Sequence, residues 1–280
     1  MIRKTGIYLY LLISFGVAWT IFGLYGVMRA GGVDINLMIL VVAASMFAPA
    51  IATIIVKSFY FKESLRDYGF NFKKPAYHLI AWILPVILAL FALFLTLSLG
   101  LGKLDPSMKS FLDMLPKETI KNLGGEIPSF RFIIATAMFL PVIINCFFTI
   151  GEELGWRGFL QDELKPLGQK KSYFIVGLIW GVWHAPIILM GHNYPTSPYL
   201  GVLWMIIFCV LLSYIFGWLK DKAGSIFAPT IAHASLNGPA MVTYMVLKDS
   251  NILLGGMLGI TGFMAMSLFV AYLLLTGQME

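Results

Sequence analysis

The chain has 280 residues, of which 59% are apolar and only 12% are charged, and its mean hydropathy is +0.84. Soluble globular proteins carry about 25% charged residues, so a chain this poor in charge does not cover a compact soluble surface. Its net charge of +6 lies in short segments between apolar runs, a distribution typical of membrane topology signals. The composition therefore predicts a polytopic membrane protein and excludes nucleic acid as the expected partner.

Apolar runs long enough to cross a bilayer, about 20 residues each, occur eight times along the chain. They lie at about 5–28, 37–60, 77–101, 130–151, 172–191, 199–219, 224–247 and 252–277. No clear repeat, low-complexity tract or soluble domain accompanies them. The sequence therefore predicts an all-α fold, in which a bundle of about eight transmembrane helices forms a single transmembrane domain over residues 1–280.

The lysines and arginines predict how the bundle is oriented. Thirteen of the 20 basic residues lie at the N-terminus or in the loops after the second, fourth and sixth spans, and the opposite loops hold seven. Basic residues are enriched in cytoplasmic loops. Both termini are therefore predicted to be cytoplasmic.

Ionisable side chains inside a span cost about 2.5 to 3.5 kcal/mol each on insertion scales, so they are the best functional candidates. The first cluster closes the fourth span. On a helix, Glu153 and Arg157 are four residues apart with the acid first, which favours an ion pair. Glu152 points about 100° away on the same helix and stays unpaired. Burial of such a carboxylate makes it a candidate proton acceptor.

Two further clusters lie in the middle of the fifth and seventh spans. The fifth contains His184, and the seventh contains His233 and Asn237, which are four residues apart and share one helix face. A single histidine in a span is usually a hydrogen-bonded packing residue, but two of them beside a glutamate pair indicate a site. His78 and His192 lie at span ends, and we predict interfacial positions without a functional role.

These residue types support two kinds of chemistry. A glutamate and one histidine can hold and deprotonate a water molecule while the other histidine and the asparagine donate to an oxyanion, which is direct amide hydrolysis. Two histidines and a glutamate are also an accepted zinc ligand set, although no short ligand motif such as HExxH is present. Hydropathy places Glu152 nearer the membrane surface than the histidines, unless the fourth helix continues beyond it.

In the order and spacing of these clusters the sequence resembles the CAAX protease and bacteriocin-processing (CPBP) family of intramembrane proteases. The family pattern is EExxxR, then an aromatic residue and histidine at FxxxH spacing, then HxxxN. The matching residues are Glu152, Glu153 and Arg157, then Trp180 and His184, then His233 and Asn237. The resemblance covers a core of about residues 130–240. Trp180 stands where eukaryotic CAAX endopeptidases usually have phenylalanine, which bears on the shape of the substrate site.

The resemblance implies an eight-helix fold with a catalytic cavity open to the cytoplasmic side, and an endopeptidase that removes the last three residues after a prenylated cysteine. It implies that Glu152 and His184 activate the water and that His233 and Asn237 form the oxyanion site. Glu153, Arg157 and Trp180 are the implied supporting residues. It favours glutamate-dependent hydrolysis without a cofactor, although older labels for the family are metalloendopeptidase, with zinc as the alternative.

The implied partners are a hydrophobic or prenylated peptide or protein substrate and membrane lipid, and the implied location is a prokaryotic cell membrane. Two other functions remain open. The first is a non-catalytic membrane protein of the same family that acts in bacteriocin immunity or peptide signalling. The second is a proton-coupled transporter, which the absence of a convincing inverted repeat disfavours.

Overall fold

The computed structural model describes residues 2–32, 35–113, 136 and 139–279. The α-helices, numbered in chain order, are α1 (Lys4–Ala30), α2 (Ile35–Ser45), α3 (Ala48–Thr53), α4 (Pro75–Ser98), α5 (Lys109–Leu112), α6 (Leu140–Glu153), α7 (Gln161–Leu164), α8 (Gln169–Trp183), α9 (Ala185–Leu189), α10 (Pro198–Ala223), α11 (Phe227–Asn237), α12 (Val242–Met245) and α13 (Ile260–Leu275). The other elements are π-helices at Ile54–Tyr60 and Leu154–Leu160, 3₁₀ turns at Leu65–Tyr68, Lys165–Leu167 and Pro239–Met241, and strands β1 (Lys103–Leu104) and β2 (Leu247–Lys248).

Four helical stretches in the described part are long and apolar enough to cross a membrane. They are Lys4–Ala30, Ile39–Tyr60, Pro75–Ser98 and Pro198–Ala223. Each coincides with one of the predicted spans, and most of the remaining described chain is also helical. The prediction of an all-α polytopic membrane protein is therefore confirmed.

The helices that carry the two histidines are shorter than the predicted spans because they are broken. The helical path of the fifth span breaks at His184, where Pro186 in α9 lacks the N–H that an α-helix needs. The seventh ends at Asn237, and Gly238 and Pro239 turn the chain into a 3₁₀ segment. The last apolar run is helical only over the 16 residues of α13. Kinks of this kind are tolerated in membranes where neighbouring helices satisfy the freed backbone groups.

The fourth span continues beyond its predicted end. From Glu153 the helix runs on through the π-helix and α7 to Leu164. Glu152 is consequently inside the bundle and only 3% exposed, so it lies deeper than hydropathy alone placed it. Residues 130–135, at the start of this predicted span, lie outside the described residues.

Close packing of α8 against α10 sets the position of the fifth span. Gly177 and Gly181 face the partner helix, where an added Cβ would lie 2.5 Å from the Cα atoms of Val210 and Ile206 respectively. Small residues four apart let two membrane helices approach backbone to backbone. The close approach of the two helices therefore places Trp180 and His184 against α10.

Contacts between residues far apart in sequence hold together the two ends of the bundle. At one end, called here the basic end, Arg3 forms ion pairs with Glu63 and Glu163, with 2.9 Å between its Nε and Oε2 of Glu163. At the opposite end, Arg29 at the end of α1 donates to the carbonyl oxygen of Met190. Strands β1 and β2 pair antiparallel at that same end. Residues far apart in sequence thus tie each end together.

Candidate active site

One cavity of about 280 Å³ lies inside the bundle, and we call it the central cavity. Its wall includes Glu152 from α6, His184 from the break between α8 and α9, and His233 and Asn237 from α11. The structure thus brings together the four residues for which the sequence predicts catalytic roles. Most of the remaining wall is apolar and includes Phe22, Met205, Phe208 and Leu236.

Glu152 is held by two indole donors. Its Oε2 accepts hydrogen bonds from Nε1 of Trp180 at 2.6 Å and from Nε1 of Trp156 at 3.2 Å. Both donors hold the carboxylate in place through one oxygen. Oε1 makes no hydrogen bond within the described part of the chain, so it is left to act on a molecule in the cavity.

The helix break orients His184. The amide N–H of His184 bonds to the carbonyl of Gly181 rather than to that of Trp180, so the Trp180 carbonyl is free to accept from the ring. It accepts from Nδ1 of His184 at 2.9 Å. Because a carbonyl oxygen only accepts, the proton is on Nδ1 and the lone pair of the neutral ring is on Nε2. His184 is therefore arranged as a base at Nε2.

Glu153 contacts two side chains instead of one. Its Oε1 accepts from Nη1 of Arg157 at 2.9 Å, which confirms the ion pair predicted from the i, i+4 spacing. The same oxygen accepts from Nδ1 of His233 at 2.8 Å. This second contact spans two helices and was not predicted. All three side chains are almost fully buried, so the carboxylate holds both partners in place inside the bundle.

The guanidinium of Arg157 lies against two aromatic rings. Its Cζ lies 4.3 Å from the ring centroid of Trp180 and 5.0 Å from that of Phe216. Cation–π contacts of this kind stabilise a desolvated guanidinium. Arg157 thereby connects the carboxylate of Glu153 to the indole that donates to Glu152.

Asn237 is the last residue of α11, and its side chain forms no hydrogen bond with any other described residue. It lies on the wall of the central cavity and is exposed. Its amide therefore keeps two N–H donors for a bound molecule.

His192 is exposed in the loop after α9, and its interfacial position without a functional role stays a prediction. Together with Asn193 it lies on the wall of the central cavity, because the loop after α9 folds back over the bundle and is held there by the bond from Tyr194 to the carbonyl of Leu258. Helical periodicity does not cover a loop, so no signal in the sequence marked these two residues. His78, by contrast, lies at the basic end next to Lys74 and away from the cavity, as expected.

The side to which the cavity opens brings two expectations about membrane orientation into conflict. His192, Asn193 and Met241 extend the cavity toward the Arg29 end of the bundle, opposite the basic end that holds the N-terminus. Cytoplasmic termini, predicted from the basic residues, and a cytoplasmic opening, implied by the resemblance, therefore do not hold together in this fold.

The donors do not converge on a metal ion. No group of three His, Cys, Asp or Glu side chains lies close enough together to hold one in the described ranges. We therefore derive no catalytic step through a metal.

Comparisons with known proteins give matches for the part of the chain that carries this site. Residues 131–238 match the family model described as type II CAAX prenyl endopeptidase Rce1-like. CAAX prenyl protease 2 of Methanococcus maripaludis is 30% identical over 86 residues. That match covers 29% of this chain and 32% of the relative, so it spans about a third of the relative's length. The segment that carries the three motifs is therefore similar to type II CAAX prenyl endopeptidases.

Proposed function

We propose that the chain is an intramembrane endopeptidase that hydrolyses a peptide bond with a water molecule activated by Glu152 and His184. One observation carries the proposal: the free Oε1 of Glu152 and the basic Nε2 of His184 belong to side chains on the wall of the same apolar cavity. A carboxylate and an imidazole so placed can take the proton of a water as it attacks a carbonyl carbon.

The negative charge that develops on the carbonyl oxygen needs donors. Asn237 has free amide N–H groups, and His233 can donate from Nε2 when its ring carries both protons, since Nδ1 already donates to Glu153. The carboxylate of Glu153 stabilises that cationic ring. Donors placed in a water-poor site lower the barrier more than they do in bulk water.

Collapse of the tetrahedral intermediate completes the reaction. The proton taken from water is returned to the departing amine by Glu152 or His184, so that a new C-terminal carboxylate and a new amine are formed. In this proposal Arg157 and Trp180 are positioning residues, because they contact Glu153 and Glu152 respectively.

The proposed substrate is a hydrophobic or prenylated peptide. The proposal is supported by the apolar wall around the polar groups and by the similarity to CAAX prenyl protease 2. We propose no cofactor, and zinc remains the alternative that the experiment tests.

The test uses the purified chain in lipid nanodiscs with a peptide library, half of which ends in farnesyl-cysteine followed by three residues. Products are identified by mass spectrometry. Cleavage after the prenylated cysteine is expected, with loss in Glu152→Gln, retention in the surface variant Asp249→Asn and no change with a chelator. Loss of cleavage with chelator and recovery with zinc would assign the reaction to a metal. A Glu152→Gln chain that still complements a deletion strain would instead support a binding role.

A further inference from the structure

A second cavity of about 400 Å³ adjoins the central cavity. Both are lined by His192, Asn193 and Met241, so they lie side by side. Ligand pockets are commonly about 300 to 1,000 Å³. The two cavities together are therefore large enough for several residues of a peptide.

Helix α1 lines both cavities with one face. Phe22 lies on the wall of the central cavity, and Tyr25 and Arg29 lie on the wall of the second. These residues are spaced i, i+3 and i+7, so they share a face. Seven residues of helix cover about 10 Å along the axis at 1.5 Å per residue, which is also about the length of three extended residues.

Arg29 gives the second cavity its charge. Among the described residues on that wall it is the only one with a formal charge. One N–H of its guanidinium donates to the carbonyl oxygen of Met190, which orients the group, and it forms no ion pair with a described residue. The remaining N–H donors of the planar fork are suited to a carboxylate.

We propose that the second cavity holds the residues on the C-terminal side of the cleaved bond, and that Arg29 binds the free terminal carboxylate of the peptide. The inference rests on the proposed function and adds a rule of selectivity to it. Arg29 lies about 10 Å along α1 from the central cavity, which is the length of about three extended residues. If Arg29 holds the terminal carboxylate, the bond that reaches the central cavity is at a fixed distance from the peptide's C-terminus. Peptides whose terminus is amidated, or extended well beyond three residues, are then poor ligands.

The test measures binding, so that it does not depend on cleavage. A fluorescent peptide ending in farnesyl-cysteine, two aliphatic residues and serine is prepared as the free acid and as the C-terminal amide. Both are titrated against the Glu152→Gln chain in nanodiscs. The acid is expected to bind about 10- to 100-fold more tightly, the range given by a hydrogen bond to a charged group. Arg29→Gln in the same background should reduce the acid-to-amide ratio to about one.

Two further variants make the result specific. Arg29→Lys keeps the charge without the fork, and it should retain part of the preference for the acid. Lys103→Gln removes a cation at the same end of the bundle that pairs with Asp249 on the surface, and it should leave the ratio unchanged. Equal binding of acid and amide to the chain that retains Arg29, or an unchanged ratio in Arg29→Gln, would overturn the proposal.

The same peptides, given to the wild-type chain, separate this inference from the proposed function. If neither peptide is cleaved under any condition while the binding preference is present, the proposed hydrolysis fails and the carboxylate site stands. If both are cleaved at equal rates and bound equally, the hydrolysis stands and the carboxylate site fails.

Discussion

The indole nitrogen of Trp180 donates to the carboxylate of Glu152 across 2.6 Å. Trp180 occupies the aromatic position of the second motif, where eukaryotic CAAX endopeptidases usually have a phenylalanine, which has no such donor. The same indole also lies under the guanidinium of Arg157. In this chain the aromatic residue therefore contributes a ring to the cation and a hydrogen bond to the proposed base.

Replacing Trp180 with phenylalanine separates these two contributions. The ring face next to Arg157 is kept, whereas the donor to Glu152 is lost. A hydrogen bond to a charged group contributes about 1.5 to 3 kcal/mol, so cleavage by Trp180→Phe should be slower by about 10- to 100-fold. The rate constant kcat is measured with the farnesylated peptide in nanodiscs.

Trp204→Phe is the matched control. Trp204 donates to the carbonyl of Leu253, away from the central cavity, and its replacement should leave kcat within about twofold. A Trp180→Phe enzyme as fast as the wild type would show that the second donor, Trp156, is sufficient to hold the carboxylate.

The buried ion pair of Glu153 and Arg157 predicts that removal of one of its two charges lowers the stability of the fold. Arg157→Met leaves the carboxylate with His233 as its one remaining partner among the described residues. Breaking a buried ion pair from one side is strongly destabilising, and we expect a loss of about 3 kcal/mol. Thermal unfolding in nanodiscs should show this as a lower Tm.

The double variant Glu153→Gln/Arg157→Met tests the explanation. It removes both charges, so it should recover most of the lost Tm. It should nevertheless be at least about 100-fold less active, because the ring of His233 then loses the carboxylate that holds it beside the proposed oxyanion site. A double variant as unstable as Arg157→Met would show that lost packing, and not the isolated charge, is responsible.

Local spacing predicted the site well where its parts lie on one helix. The pair of Glu153 and Arg157 followed from the i, i+4 rule, and the proline after His184 marks the break that orients its ring. The contact between Glu153 and His233 joins segments 80 residues apart, and its distance depends on how the helices pack. No pattern along the chain determines that packing. The place of His192 beside the cavity is unpredictable for a related reason, since it depends on how a loop folds over the bundle.

The approach of α8 to α10 predicts a sharp effect of one methyl group. At Gly177 an added Cβ would lie 2.5 Å from the Cα of Val210 and 2.8 Å from the carbonyl oxygen of Cys209. Backbone atoms do not move aside cheaply, and overpacking costs about 1 to 3 kcal/mol. Gly177→Ala should lower the Tm and the activity together. Gly23→Ala, on α1, where the added Cβ meets no atom within 4 Å, should leave both unchanged.

Asp105 predicts an acid-sensitive turn outside the membrane spans. The hydroxyl of Ser107 and the amide of Ser110 donate to its carboxylate and lower its pKa from 3.8 to about 2. Because the pKa is lower in the folded turn, the stabilisation is complete above about pH 4 and is lost as the pH falls toward 2. Hydrogen exchange of residues 105–112 should be slower in the wild type than in Asp105→Asn at pH 5. The difference should disappear near pH 2, and a constant difference would exclude the carboxylate as its cause.

The last prediction concerns which side of the membrane the cavity faces. The basic residues predict that both termini are cytoplasmic, and the cavity extends toward the other end, where Asp249 is exposed. In intact cells an impermeant maleimide should therefore label Asp249→Cys but not Lys62→Cys, which lies near the basic end. This result would favour hydrophobic peptides that reach the outer face as substrates. The reverse labelling pattern would place the opening in the cytoplasm, where prenylated proteins are made, and would overturn the predicted orientation.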